Sequence, residues 1–146
     1  MHHTGMKTIL RPIATVCVLG ATHAFALDLC AMLPKPEAES VVGTIKNVTT
    51  MKAQGSLLGE CTFEGANGTL SMAARPAAEY EATVRETFDK GKPPEPAQGL
   101  AGKAVKSKYG LLYQPAGKPY FLQVIGRRGG VEDMALALEG AKKLRQ

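Results

Sequence analysis

Residues 60–73 read Glu60-Cys61-Thr62-Phe63-Glu64-Gly65-Ala66-Asn67-Gly68-Thr69-Leu70-Ser71-Met72-Ala73. Polar and apolar residues alternate on both sides of Gly65–Gly68, so each arm puts its apolar set on one face of a strand. The Asn-Gly pair between the arms carries a hairpin signal. An antiparallel hairpin with one apolar face needs a covering layer, and that requirement sets the fold class.

Upstream, Thr44 to Met51 is rich in β-branched Thr, Ile and Val and reads as a strand, with Gln54 to Gly59 as the turn that follows it. Before it, Pro34-Lys35-Pro36 followed by Glu37 and Glu39, with Gly43 beyond Val42, predicts a helix of about two turns. Downstream, Pro76 opens a helix over Ala77 to Lys90. There Tyr80, Val84 and Phe88 recur every four residues, and Glu81/Arg85 and Glu86/Lys90 form supporting pairs. Gly91-Lys92-Pro93-Pro94-Glu95-Pro96 cannot continue that helix and reads as a surface connection. Strands over Gly102–Ser107, Tyr109–Gln114 and Pro119–Ile125, the last two joined by Pro115-Ala116-Gly117-Lys118, form an antiparallel meander. A terminal helix over Val131 to Arg145 places Val131, Met134, Ala135, Leu138 and Ala141 on one stripe. The expected fold is α+β: an antiparallel sheet of about five to six strands with helices on one face, a two-layer sandwich.

The 146 residues are 45% hydrophobic and 21% charged, with 16 Gly and 3 Cys, which excludes collagen-like, knottin-like and wholly disordered chains. Lys7 and Arg11, the apolar run Ile13 to Gly20, and Ala24-Phe25-Ala26 have the three-part layout of a secretory signal peptide. Residues 1–26 are therefore expected to be removed, leaving one α+β domain over 27–146. No apolar run reaches the roughly 20 residues a membrane-spanning helix needs. No cysteine follows a Leu-small-small run, so no stable membrane anchor is expected, and the protein is placed in the periplasm or outside the cell. Cys30 and Cys61 are the only cysteines after residue 26, and in an oxidising compartment an even count predicts a disulfide. A redox pair normally has Cys-x-x-Cys spacing, which this one lacks.

His2, His3 and His23 all precede residue 27, so the expected mature chain holds no histidine. Ser-His-Asp and Cys-His nucleophile systems cannot be assembled from it, and zinc sites built from His and Cys go with them. Asp28, Asp89 and Asp133 are scattered singly, which disfavours a calcium site. Gly99-Leu100-Ala101-Gly102-Lys103 and Gly126-Arg127-Arg128-Gly129-Gly130 match neither dinucleotide-binding nor P-loop spacing. Carboxylate pairs such as Glu79 with Glu86 read as a solvated helix face. No metal, cofactor or catalytic residue is expected; an enzyme working through carboxylates or lysine is the remote alternative.

Charge is segregated along the chain. Residues 27–96 carry 10 acids against 7 bases, whereas 97–146 carry 3 acids against 9 bases. Between Glu95 and Glu132 there is no acid, only Lys103, Lys106, Lys108, Lys118, Arg127 and Arg128, interleaved with Tyr109, Tyr113, Tyr120 and Phe121. A basic sheet face bearing aromatic rings suits an anionic ligand, whereas lysines on strands also serve simply to keep exposed edges solvated. Lys103, Lys106, Lys108, Tyr109, Tyr113, Lys118, Arg127 and Arg128 are the candidate ligand-binding residues. Nucleic acid is not an expected partner, given the compartment and the modest net charge.

Cys30-Ala31-Met32-Leu33-Pro34, Glu37-Ala38, Val42-Gly43, Cys61-Thr62-Phe63, Gly99-Leu100-Ala101-Gly102-Lys103-Ala104 and the Val131 to Leu144 helix together resemble small exported bacterial domains. The pattern is similar to that of actinobacterial secreted lipoproteins and sensor-like domains, in which a Cys-x-x-Leu helix is tied by a disulfide to a Cys-Thr-aromatic strand. The resemblance implies the disulfide, the α+β sandwich and a binding role, with no catalytic residue. The chain departs from that pattern in lacking a lipid-anchoring cysteine and in having Lys103 where an acid is usual. The expected function is a non-catalytic exported binding domain contacting an anionic envelope ligand or a partner protein. The alternative is an inhibitor or accessory subunit of an envelope enzyme, working through a rigid loop such as Gly91–Gly99 or Pro115–Pro119.

Overall fold

A computed structural model describes residues 26–146; the expected presequence, apart from its last residue Ala26, lies outside the described residues. The deciding stretch forms a hairpin of β2 (Gly59–Gly65) and β3 (Gly68–Pro76), in which Cys61 faces Met72 and Phe63 faces Leu70. These four side chains and Ala74 are buried on one face of the sheet. On the other face Thr62 and Ser71 share a 3.0 Å hydrogen bond between their hydroxyls. The turn differs from the Asn-Gly reading. Gly65 pairs with Gly68, so Ala66 and Asn67 make the connection, and neither adopts positive φ. The Ala66 and Asn67 amides instead donate to Thr44 O (3.0 Å) and Val42 O (2.7 Å), so outside partners hold this tip.

The strand before it, β1 (Ile45–Met51), pairs antiparallel with β2 and forms one edge of the sheet. The second half adds β4 (Glu95–Pro96), β5 (Gly102–Ser107), β6 (Gly110–Pro115), β7 (Tyr120–Arg128) and β8 (Val131–Glu132). The order is β1-β2-β3-β7-β6-β5-β4, with β8 on β7, and every pairing is antiparallel. The sheet thus has eight strands rather than five to six. The two extra strands are two residues long. β8 takes residues expected to begin the terminal helix: Gly129 and Gly130, both at positive φ, reverse the chain so that Val131 pairs with Arg128. Val131 is therefore 69% exposed instead of belonging to the apolar stripe. Two meanders, β1–β2–β3 and β5–β6–β7, are joined along β3 and β7, which pair from Thr69↔Arg127 to Pro76↔Tyr120.

Three helices cover one face: α1 (Leu29–Met32), α2 (Lys35–Val42) and α4 (Met134–Lys142). Leu29, Leu33, Val41, Val42, Leu136 and Ala137 meet the buried residues of β2, β3, β6 and β7 in one core. Gly126 of β7 permits close approach of α4, because a Cβ there would stand 2.7 Å from Asp133 O and 2.8 Å from Ala137 N. The Cys30–Cys61 disulfide ties α1 to β2, with Cα atoms 5.4 Å apart.

α3 (Tyr80–Glu86), preceded by a 3-10 turn over Ala77–Glu79, corrects the two-layer expectation because it lies on the opposite face. Val105, Leu112 and Phe121 turn apolar side chains that way, and Tyr80 and Val84 cover them. Tyr80 meets Phe121 edge to face at 5.5 Å, and burial raises the Tyr80 hydroxyl above its ordinary value. The β5–β7 half is thus three layers deep.

The helix is also shorter than the four-residue recurrence predicts. Thr87 Oγ1 donates back to Val84 O at 2.7 Å, and Asp89 and Lys92 then close a tight turn with paired backbone bonds of 3.1 and 2.9 Å. Its central residues, Lys90 and Gly91, have φ of 50° and 76°, as a turn with two left-handed central positions requires. Phe88 is left 37% exposed and Lys90 is out of helical register with Glu86. Glu81 pairs instead with Lys103 of β5.

Candidate functional site

The β5–β6 meander and the turn at residues 89–92 together build a cleft of about 480 Å³. Its walls are Thr87, Asp89, Lys92, Pro93 and Pro94 on one side and Lys106, Ser107 and Lys108 on the other. β4 fixes the first wall against the second, since Glu95 pairs with Lys106 and Pro96 with Val105 in the ladder. Prolines at 93 and 94 stiffen the approach by fixing φ.

The cleft's hydroxyls are already committed. Ser107 Oγ donates to Gly110 O (2.8 Å) and accepts from Tyr109 N (3.1 Å), which shapes the β5–β6 turn. Thr87 is buried with its proton given to Val84 O. Lys92, Lys106 and Lys108 thus line the cleft together with Asp89. Lys106 also meets Glu95 across the ladder at 3.8 Å, with the glutamate largely exposed. Such a solvated pair contributes at most about 1 kcal/mol, so a more highly charged anion displaces it. Lys108 lies over the Tyr109 ring, 5.2 Å from its centroid.

Of the residues expected to bind a ligand, Lys106 and Lys108 meet in this cleft, and the others are dispersed. Tyr109 leaves the turn on the other side and lines a groove under α3. Lys103 is on the α3 face, bonded to Glu81 at 3.0 Å. Tyr113 is buried; its hydroxyl donates to Ala101 O and accepts from Gln146 Nε2, which makes it part of the core. Lys118 sits in the β6–β7 turn at the opposite end of the sheet. Arg127 lines a separate groove with Glu64, Asn67 and Thr69 at the β2–β3 tip.

Arg128 is spent on Asp133, at 2.8 Å. That aspartate also caps α4 by accepting from Leu136 N. The backbone bond from Leu136, followed by the Arg128 guanidinium, holds the Asp133 carboxyl below its ordinary value. A smaller hollow of about 190 Å³ opens beside this cap, lined by Gly110, Val124, Met134 and Ala137, and its carboxylates Glu132 and Asp133 give it the wrong sign for an anion.

Lys92 was absent from the sequence-derived set, although Gly91-Lys92-Pro93-Pro94 marks an exposed cation on a stiff connection. Its place in the cleft depends on β4 pairing back to β5, and a two-residue strand leaves no periodicity to read. Among the described residues no group of three or more His, Cys, Asp or Glu side chains is placed to hold a metal ion, and no helix is long and apolar enough to cross a membrane. Comparison of the chain with protein-family models, with curated proteins and with solved structures finds no match.

Proposed function

We propose that this protein is an exported, non-catalytic binding domain that holds a multiply charged anionic ligand of the cell envelope in the Lys92/Lys106/Lys108 cleft. The observation that carries the reading is that three lysines from two chain segments line one concavity, with Asp89 in the same lining and Glu95 paired to Lys106. The lysines offer point charges without the planar fork that fixes one geometry, so recognition depends on the ligand's charge more than on its shape. Phosphate or carboxylate groups spaced along a polymer or headgroup suit three separated cations. The Cys30–Cys61 bond fits an oxidising compartment, and residues 27–146 contain no histidine to act as a neutral-pH general base.

The test is calorimetric titration with tripolyphosphate at low and raised salt. Exchanging Lys92, Lys106 and Lys108 together for Gln removes about 0.5–1 kcal/mol per lysine, so affinity falls about tenfold or more, while R127Q retains it. Binding that is indifferent to salt, or undiminished in the triple variant, overturns the reading. The second reading, an inhibitor or accessory subunit, draws on the stiff loop that β4 pins to β5. In that case substitution of Pro93 and Pro94 abolishes capture of a purified partner, and neutralising the lysines does little.

A further inference from the structure

The two edges of the sheet are finished differently. β4 closes one with two residues, Glu95 and Pro96, the first charged and the second without an N–H to offer. β1 closes the other with seven residues, Ile45–Met51, which include no proline, the single charge of Lys46 and six exposed positions. Two large apolar side chains left in solvent, Val48 and Met51, belong to it. Among the described residues β1 pairs with β2 alone, so alternate backbone N–H and C=O groups along its outer side have no strand partner. A bulge between Ile45 and Asn47 bends only the first end, and the ladder runs regularly from Asn47 to Met51. Such an edge is a template for one more strand.

The strand's own chemistry selects the occupant. Joined to a copy of itself by a two-fold axis perpendicular to the sheet, β1 runs antiparallel and residues of the same face meet. With Val48 on the axis, Val48 faces Val48 of the copy, and Asn47 and Thr49 face each other twice. Val48 lies on the side of Phe63, its β2 partner, while Asn47 and Thr49 lie on the other with Glu64 and Thr62. Within its own strand Asn47 Nδ2 reaches Thr49 Oγ1 only at 3.4 Å, beyond the usual length of such a bond. Thr49 of the copy, directly opposite, supplies a better-placed acceptor. In this register Lys46 meets Thr50. Moving the axis to Thr49 sets Lys46 against Lys52, and moving it to Asn47 sets Lys46 against Val48. Like charges directly opposite are destabilising, and a charge across from an apolar side chain forfeits the apolar pair.

We propose that β1 is a self-association edge, on which a second copy of this chain adds its own β1 antiparallel, Val48 against Val48, to make one sheet continuous across two copies. A seven-residue edge is small beside the about 1,600 Å² of a standard interface, so the dimer forms with concentration and is not obligate. The lysine cleft sits by the opposite edge and is independent of it.

The experiment is sedimentation velocity of the protein from micromolar to millimolar concentration, with a dimer expected to grow in across that range. V48K, which sets an ammonium against its own symmetry mate, should weaken the dimer about tenfold or more. V131K, at an equally exposed valine of β8, should leave it unchanged. Thermal melting checks that V48K folds, and cross-linking gives a second readout: under mild oxidation V48C should form a covalent dimer and T50C, on the same face but off the axis, should not. A monomer at every concentration, an undiminished dimer in folded V48K, or T50C cross-linking as readily as V48C overturns the proposal.

Discussion

Two concavities flank the β5–β6 turn, and adjacent residues separate them: Lys108 lines the lysine cleft and Tyr109 lines the groove under α3. One presents ammonium groups, the other mostly acceptor oxygens. Charge segregated along a sequence does not stay segregated in space. Of the basic second half, Lys103 is balanced by Glu81, Lys106 by Glu95 and Arg145 by Glu37, all acids of the first half, and Arg128 by Asp133 of its own. The comparison teaches that a local excess survives only where two segments of one sign are folded against each other, as the 89–94 turn and the β5–β6 turn are.

The largest effects come from the scaffold. Replacing Cys30 and Cys61 together by Ala should cost about 3–4 kcal/mol in denaturant unfolding, the chain-entropy value for a loop of this length. Gly126→Ala forces α4 away from β7. Overpacking of this kind costs roughly 1–3 kcal/mol, readable as a lower denaturation midpoint. A selective break comes next: neutralising the cleft lysines should weaken tripolyphosphate about tenfold, whereas Lys103→Gln, on the α3 face against Glu81, should leave it unchanged. A smaller effect comes from Lys90→Gly, which relieves a side chain held at φ 50°; it should raise stability by about 1 kcal/mol and leave tripolyphosphate binding intact.

Acid should reveal the Asp133 cap. Its folded-state carboxyl titrates below the ordinary 3.8, so the stability it contributes is full above that value and is lost as pH falls through the depressed one. Asp133→Asn should flatten the stability profile in that window, as followed by urea midpoints against pH.

Much of the scaffold was legible before the structure. The period-two pattern of residues 60–73 gave β2 and β3, and the Pro and Gly boundaries placed α2 at Lys35–Val42. The pairing of Cys30 with Cys61 followed from there being only two candidates. The side of the sheet taken by α3 was not legible, because β6 is buried on both faces and Leu111-Leu112-Tyr113 shows no alternation to assign. The end of α3 was misread because the Tyr80/Val84/Phe88 recurrence outlasts the helix, which the Lys90–Gly91 turn stops. Of the candidate site, Lys106 and Lys108 are near neighbours already in the sequence, whereas Lys92 joins them through a two-residue strand.

The central claim, that Lys92, Lys106 and Lys108 share one anion-binding cleft, is tested most directly by Lys108→Gln titrated with tripolyphosphate at low and raised salt. The substitution removes one cation from the cleft lining. The account predicts weaker binding and a shallower loss of affinity as salt is raised. Affinity and salt dependence both equal to those of the unsubstituted protein would contradict it.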